Sequence, residues 1–172
     1  MAKLAIKVHC FFTFEGLEKV ELSDSSQFEF TFGANSNSKY VAIVEAWLES
    51  YLKGKPSKVL PPLVNTNHTP FTKLVFENLS NIPFGKVFTY EELAKKCGNQ
   101  RAYRAIGTAC GKNPWPLLIP CHRVIGKNGS FCGFSSGGIP VKEKLLSFEQ
   151  TVRPLIGVIA KNVDFPLGGS SL

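Results

Sequence analysis

Four prolines fall between Lys55 and Phe71, at positions 56, 61, 62 and 70, in the segment KGKPSKVLPPLVNTNHTP. A proline fixes φ and removes a backbone donor, so no helix interior or central strand can run through such a segment. The segment is also rich in Asn, Lys and Thr, which marks a linker. The chain therefore divides into residues 1–68, an N-terminal α/β domain with its linker, and residues 69–172.

The hydrophobic period differs on the two sides. Before the linker, LAIKVHCFFTF, then LEKVEL after a Glu15-Gly16 turn, then QFEFTFG show β-type alternation and aromatic content. VAIVEAWLESYL follows, with Val41, Val44, Trp47, Leu48, Tyr51 and Leu52 at helical spacing on one face. The reading is a small β-sheet with one helix, and no chemistry is visible in it.

Past the linker, helix punctuation dominates. Thr69 caps and Pro70 fits the first position of a helix whose apolar stripe is Phe71, Leu74, Val75 and Leu79. Thr89-Tyr90-Glu91-Glu92 is a capping box for a second helix, which stops at Gly98. Asn99 caps a third, Gln100 to Cys110, closed by Gly111. Its spacing predicts Ala102, Ala105, Ile106 and Ala109 facing inward and Arg101, Arg104, Thr108 and Lys112 facing out. Two short helices with a basic outer face on the second form a helix-turn-helix pattern, which also occurs in proteins that never touch DNA. VIGKNGSFCGF predicts a hairpin around Asn128-Gly129, in the position of a wing. GFSSGG reads as a flexible loop, and Pro140 starts a last helix through Glu149. The expected fold is α/β with two domains, the second a mainly helical winged helix-turn-helix.

Composition excludes several classes. With 44% hydrophobic and 19% charged residues the chain reads as a soluble globular protein. No apolar run approaches the roughly 18 residues of a membrane span, so no membrane partner is expected. The first residues do not resemble a secretory signal. Five cysteines, an odd number without a C-x-x-C pair, read as free thiols in a reducing compartment. Residues 1–68 balance seven Lys/Arg against seven Asp/Glu, whereas residues 69–172 hold thirteen against six. The whole net charge of +7 lies in the second part, which fits either a polyanionic partner or a solvated basic face.

The stretch LLIPCHRVIG sets Cys121 beside His122. A thiolate needs a base or a positive field to form at neutral pH. Adjacent residues of a regular strand point to opposite faces, so the pair meets only through a kink or a relaying water. Taken alone, the dipeptide fits a small buried hydrophobe beside a core histidine better than a nucleophile with its base.

NPWPLLIPCHRVIG, from Asn113 to Gly126, resembles the signature of the O6-alkylguanine-DNA alkyltransferases, built on a Pro-Cys-His-Arg-Val core. FTKLVFENLSNIPFGKVFTYEELA, RAIGTACGKNP and GG…VKEKLLSFE resemble the same family in order and spacing, over about 80 residues. The resemblance implies a protein that binds duplex DNA, flips an O6-alkylated guanine (less readily an O4-alkylated thymine) into a pocket, and takes the alkyl group onto Cys121. It assigns His122 as a base acting through water and Glu149 as the carboxylate that orients it. Tyr90 matches the tyrosine that donates to guanine N3, and Asn113 the asparagine bracing the turn before the active-site strand. Pro116, Val124, Phe134 and either Ser135 or Ser136 correspond to the walls of the guanine pocket. Arg104 matches the arginine inserted where the base was. Ala102 suits close approach to the minor groove, and Thr72, Asn99 and Lys127 fall at DNA-contact positions.

The chain departs from the family pattern in places. The GFSSGG loop is one residue longer than usual, Phe134 replaces a common tyrosine, and Trp115 is bulkier than the usual aliphatic residue. Neither metal nor cofactor is expected, since the zinc ligands some members carry have no counterpart. The implied partner is double-stranded DNA containing O6-alkylguanine. The protein is expected to act as a monomer in the cytoplasm, or in the nucleus of a eukaryote. A non-catalytic relative, which bears tryptophan in place of the cysteine, and a plain winged-helix transcription factor are the alternatives. Neither accounts for Tyr90, Asn113, Cys121, His122 and Glu149 in register.

Overall fold

A computed structural model of the chain describes residues 3–34, 36–64 and 67–152. Three strands, β1 (Ile6–Phe12), β2 (Leu17–Asp24) and β3 (Glu29–Phe32), form a sheet in the order β2-β1-β3. β1 is antiparallel to β2 and parallel to β3. Alternation puts Ile6, Val8 and Cys10 of β1 and Leu17, Val20 and Leu22 of β2 into the core. Helix α1 (Ser38–Leu52) starts where Asn37 Oδ1 accepts from Lys39 N, and buries Val41, Val44, Trp47, Leu48 and Tyr51, the expected face.

The linker is pinned rather than loose. Leu17 N donates to Pro62 O at 2.8 Å and Val64 N to Leu17 O at 3.0 Å. Gly16 is required there, because a Cβ on it would lie 2.1 Å from Pro62 O.

Helix α2 (Pro70–Ser80) has the predicted Thr69 cap and proline start, but its buried stripe is Thr72, Val75, Phe76 and Leu79. Leu74, expected inside, is exposed, and Phe71 is half-buried. The i, i+3, i+4, i+7 set is centred one position later than the apolar residues alone suggest, because a threonine occupies its first place. Helix α3 (Tyr90–Lys96) opens with the complete Thr89/Glu92 capping box. The next element is not one helix from Gln100: a 3-10 turn covers Gln100–Ala102, and α4 runs Tyr103–Gly111. Three residues per turn instead of 3.6 shift the phase. Ile106, Ala109 and Cys110 are buried, while Ala105 is exposed and Ala102 half-buried, against the inward expectation for both. Arg101, Arg104, Thr108 and Lys112 all face out, as expected.

The hairpin over VIGKNGSFCGF does not form. β5 (Val124–Ile125) pairs in parallel with β4 (Phe88–Thr89), and a turn closes by Gly126 N donating to Ser130 O at 2.7 Å. No returning strand follows among the described residues. Cys132 at φ 54° and Gly133 at φ 88° leave the extended region, so the turn residues are right for a hairpin but the chain after them is not. Helix α5 (Gly138–Val152) then extends three residues beyond Glu149, the expected end.

The N-terminal sheet and the helices share one continuous hydrophobic core. Polar ties cross it too: Trp115 Nε1 donates to Leu17 O at 3.1 Å, and Val20 N to Pro114 O at 2.8 Å. Lys144 of α5 donates to Ala5 O, Ser25 O and the Asp24 carboxylate.

Candidate functional site

Residues 113–125 carry no long strand. Asn113 Oδ1 accepts from Trp115 N at 3.0 Å, and its Nδ2 donates to Ile119 O at 2.8 Å and to Cys121 Sγ at 3.2 Å. The brace is needed because Leu117 sits at φ 76°, a conformation costing a side-chain-bearing residue about 1–3 kcal/mol. Cys121–Arg123 then form a 3-10 turn. This is the kink: it sends Cys121 to one side and both His122 and Arg123 to another.

Cys121 is 4% exposed and opens on a cavity of about 990 Å³, large for a small-molecule site. Tyr90, the first residue of α3, lines it together with Cys110, Cys132, Phe134, Ser135 and Lys142. Ser135 is thus the serine of the lengthened loop that reaches the cavity. Gln100, Arg101, Tyr103 and Lys127 lie at the same opening. Burial, with the nearby thiols of Cys110 and Cys132, pushes the Tyr90 hydroxyl well above its ordinary pKa, so it stays a donor. Burial also raises the Cys121 thiol. The Asn113 hydrogen bond and the Lys142 ammonium oppose that rise.

Behind the cysteine lies a buried polar cluster centred on Glu149. Its Oε1 accepts from Tyr51 Oη at 2.8 Å and is 2.7 Å from His122 Nε2. Arg123 reaches both oxygens through Nε, with Nη2 also donating to Oε1, and Gly85 N donates to Oε2 at 2.9 Å. Burial alone would raise this carboxyl. The charge and hydrogen bonds of His122 and Arg123 outweigh it and bring the pKa down to about 2. Burial lowers His122 below its ordinary value, an effect that Glu149 only partly opposes. His122 Nε2 is held by the carboxylate, and its Nδ1 is buried with no partner among the described residues.

Among the other sequence-predicted residues, Pro116 and Val124 are buried and do not line the cavity. Thr72 is buried, its hydroxyl 2.9 Å from that of Thr69. Asn99 caps the 3-10 turn through Arg101 N. Arg104 is exposed on α4, its guanidinium 5.8 Å from the ring centre of exposed Tyr103. Trp115 is buried outside the cavity lining and bonded to the backbone of β2 at Leu17.

Sequence reasoning missed Tyr51, Arg123, Tyr103 and Lys142. The last is 1% exposed, and its Nζ donates to Val124 O at 2.6 Å and Phe131 O at 2.8 Å. It read as one more basic residue of a helix, since nothing local marks a lysine as buried. Lys142→Met is expected to cost about 2–4 kcal/mol in urea denaturation, because a buried and a half-buried carbonyl lose a charged donor.

The description "6-O-methylguanine DNA methyltransferase, DNA binding domain" matches residues 70–151. A methylated-DNA–protein-cysteine methyltransferase of Methanosarcina mazei is 41% identical over 114 residues, covering 66% of this chain and 71% of the relative. The chain belongs to the methylated-DNA–protein-cysteine methyltransferase family. A probable member from Acanthamoeba polyphaga mimivirus is 34% identical over 147 residues, which are 84% of this chain and 97% of the other. Among solved structures, Mycobacterium tuberculosis OGT in complex with DNA superposes with a TM-score of 0.65 at 25% identity. That match covers 87% of this chain and 96% of the other. The family's two-part α/β architecture is therefore the one seen here.

Proposed function

We propose that this protein repairs DNA by direct reversal, moving the alkyl group of O6-alkylguanine, and less readily of O4-alkylthymine, irreversibly onto its own Cys121. The observation that carries the reading is Cys121 on the cavity wall with Asn113 on its sulfur and the His122–Glu149 pair behind it. Names of relatives such as the M. mazei methyltransferase support the same activity.

The thiol proton passes through a water to His122 Nδ1, the buried atom with no protein partner. The imidazolium so formed is stabilised by Glu149, already ionised. The thiolate attacks the alkyl carbon in line, the carbon–O6 bond breaks, and its electron pair spreads into the guanine ring. The Tyr90 hydroxyl donates a hydrogen bond to guanine N3 as negative charge enters the ring, and Ser135 faces O6 from the loop. The departing guanine anion takes a proton from water while the imidazolium returns its own to solvent. The product is a thioether, which thiol exchange cannot reverse, so each molecule reacts once. Cys110 also lines the cavity, but burial pushes its thiol up to about 12 and no side chain among the described residues donates to its sulfur.

Helices α3 and α4 act as a helix-turn-helix on duplex DNA, with the 126–134 loop as a wing. Arg104 replaces the extruded base, half-buried Ala102 and exposed Ala105 allow close approach to the minor groove, and Asn99, Lys127 and the start of α2 around buried Thr72 hold the backbone. Residues 1–68 and 69–172 act as two domains of one monomer. Five unpaired cysteines suit a reducing compartment, the cytoplasm or a nucleus.

Incubation with duplex DNA carrying O6-methylguanine is expected to add one methyl mass to the peptide holding Cys121, at one equivalent per protein. The Cys121→Ala protein should take up none while still binding DNA. Turnover beyond one equivalent, or methyl on Cys110 or Cys132, sinks the mechanism.

A further inference from the structure

The N-terminal part reaches the reaction centre at one atom. Tyr51 lies on α1 and Glu149 on α5, 98 residues apart, and the tyrosine is fully buried. Its ring is stacked on Trp47 and Phe148 and meets Phe84 edge-on, so the hydroxyl has one place to point. That place is Glu149 Oε1, the same oxygen that binds His122 Nε2.

We propose that Tyr51 is a positioning residue for alkyl transfer, whose hydroxyl shares Glu149 Oε1 with His122 and so limits how strongly the carboxylate holds a proton on the imidazole. The proposal rests on the reading of His122 as the base.

The physical case is one of competition. A carboxylate oxygen that already accepts a strong hydrogen bond offers less charge density to the next donor. Glu149 Oε1 takes donors from Tyr51, Arg123 and His122 together. The charged and titratable groups around His122 are Glu149 and Lys142 of α5, Arg123 and Cys121 of its own turn, and Tyr51 of α1. Burial, with Glu149 adding to it, keeps the Tyr51 hydroxyl protonated, so it is a permanent donor to that oxygen. Arg123 and Lys142 disfavour a proton on His122, and Glu149 favours one. Tyr51 acts by moderating Glu149. A base held near the working pH is more effective than one trapped as imidazolium. Removing the hydroxyl leaves Oε1 with more charge for Nε2–H, and His122 then holds its proton to higher pH.

The test is the pH profile of the single-turnover rate of methyl transfer for the full-length protein, its Tyr51→Phe variant and a Trp47→Phe control. The wild-type rate is expected to fall on the acid side as His122 is protonated. In Tyr51→Phe the midpoint of that limb should move up by about one pH unit, the size expected of one hydrogen bond to a charged group. Trp47→Phe, which disturbs the same stack without touching the hydroxyl, should leave the midpoint in place even where it lowers the urea midpoint. A Tyr51→Phe limb that stays put or moves down overturns the proposal, whatever happens to stability. A wild-type profile with no acid limb, or one unchanged by His122→Asn, overturns the base reading and the proposal together.

Discussion

Glu149→Gln is expected to slow methyl transfer by about 10²–10⁴-fold, the range spanned by a general base and the carboxylate that orients it. The amide is nearly isosteric, but it cannot supply the charge that stabilises an imidazolium at His122. It also presents a donor where Oε1 and Oε2 now accept from Tyr51, His122, Arg123 and Gly85. Arg123, buried and with Ile82 O as its other hydrogen-bond acceptor among the described residues, loses its counter-ion. Breaking one side of a buried pair costs about 3–5 kcal/mol, and urea denaturation at pH 7 reads it directly.

The same substitution changes the pH dependence of stability. Glu149 has a folded pKa of about 2, below its unfolded value, so its contribution is complete above the ordinary carboxylate range and fades as pH falls from about 4.5 toward 2. His122 is also lowered on folding. The unfolded chain therefore binds a proton near pH 6.5 that the folded chain refuses, and stability declines from there downward. Both slopes run the same way in the wild type. Glu149→Gln should lack the lower one. A wild type equally stable at pH 3.5 and pH 7 contradicts this account of the cluster.

Arg104→Ala is expected to slow repair of O6-methylguanine in duplex DNA at least about 10-fold while changing the reaction with free O6-benzylguanine by less than about 2-fold. Extruding a base costs a few kcal/mol, and about 1.4 kcal/mol corresponds to each factor of ten. The free base needs no extrusion. Arg104 is exposed on α4 and outside the cavity lining, so its loss leaves the cysteine and its partners untouched. Equal losses on both substrates remove Arg104 from any flipping role. Duplex binding should also weaken steeply with salt, since phosphate contacts release counterions.

Much of this protein was legible residue by residue. Sheet alternation in β1 and β2, the buried face of α1, the caps at Thr69, Thr89 and Asn99, and the basic outer face of α4 all follow from local patterns with strong periodicity or capping chemistry. The roles of Cys121, His122 and Glu149 came not from such patterns but from the resemblance of the runs Asn113 to Gly126 and Val141 to Glu149 to the alkyltransferase family. Errors arose where a local pattern was right but its phase or continuation was not. The 3-10 turn at Gln100–Ala102 rotated Ala105 outward, Thr72 displaced Leu74 from the core, and positive φ at Cys132 stopped the hairpin.

The chain by itself determined which chemistry is present: a cysteine, a histidine and a carboxylate in a basic, helical half. Tertiary structure alone decided how they act. A 3-10 turn, not a strand, separates Cys121 from His122. Asn113 reaches the sulfur across a segment in which Leu117 has positive φ. Tyr51, on a helix read as devoid of chemistry, joins Glu149 across 98 residues. Periodicity and capping act over a few residues and can be read along the chain. Burial of Lys142 and Arg123, and the sharing of one carboxylate oxygen, depend on which distant surfaces exclude water together.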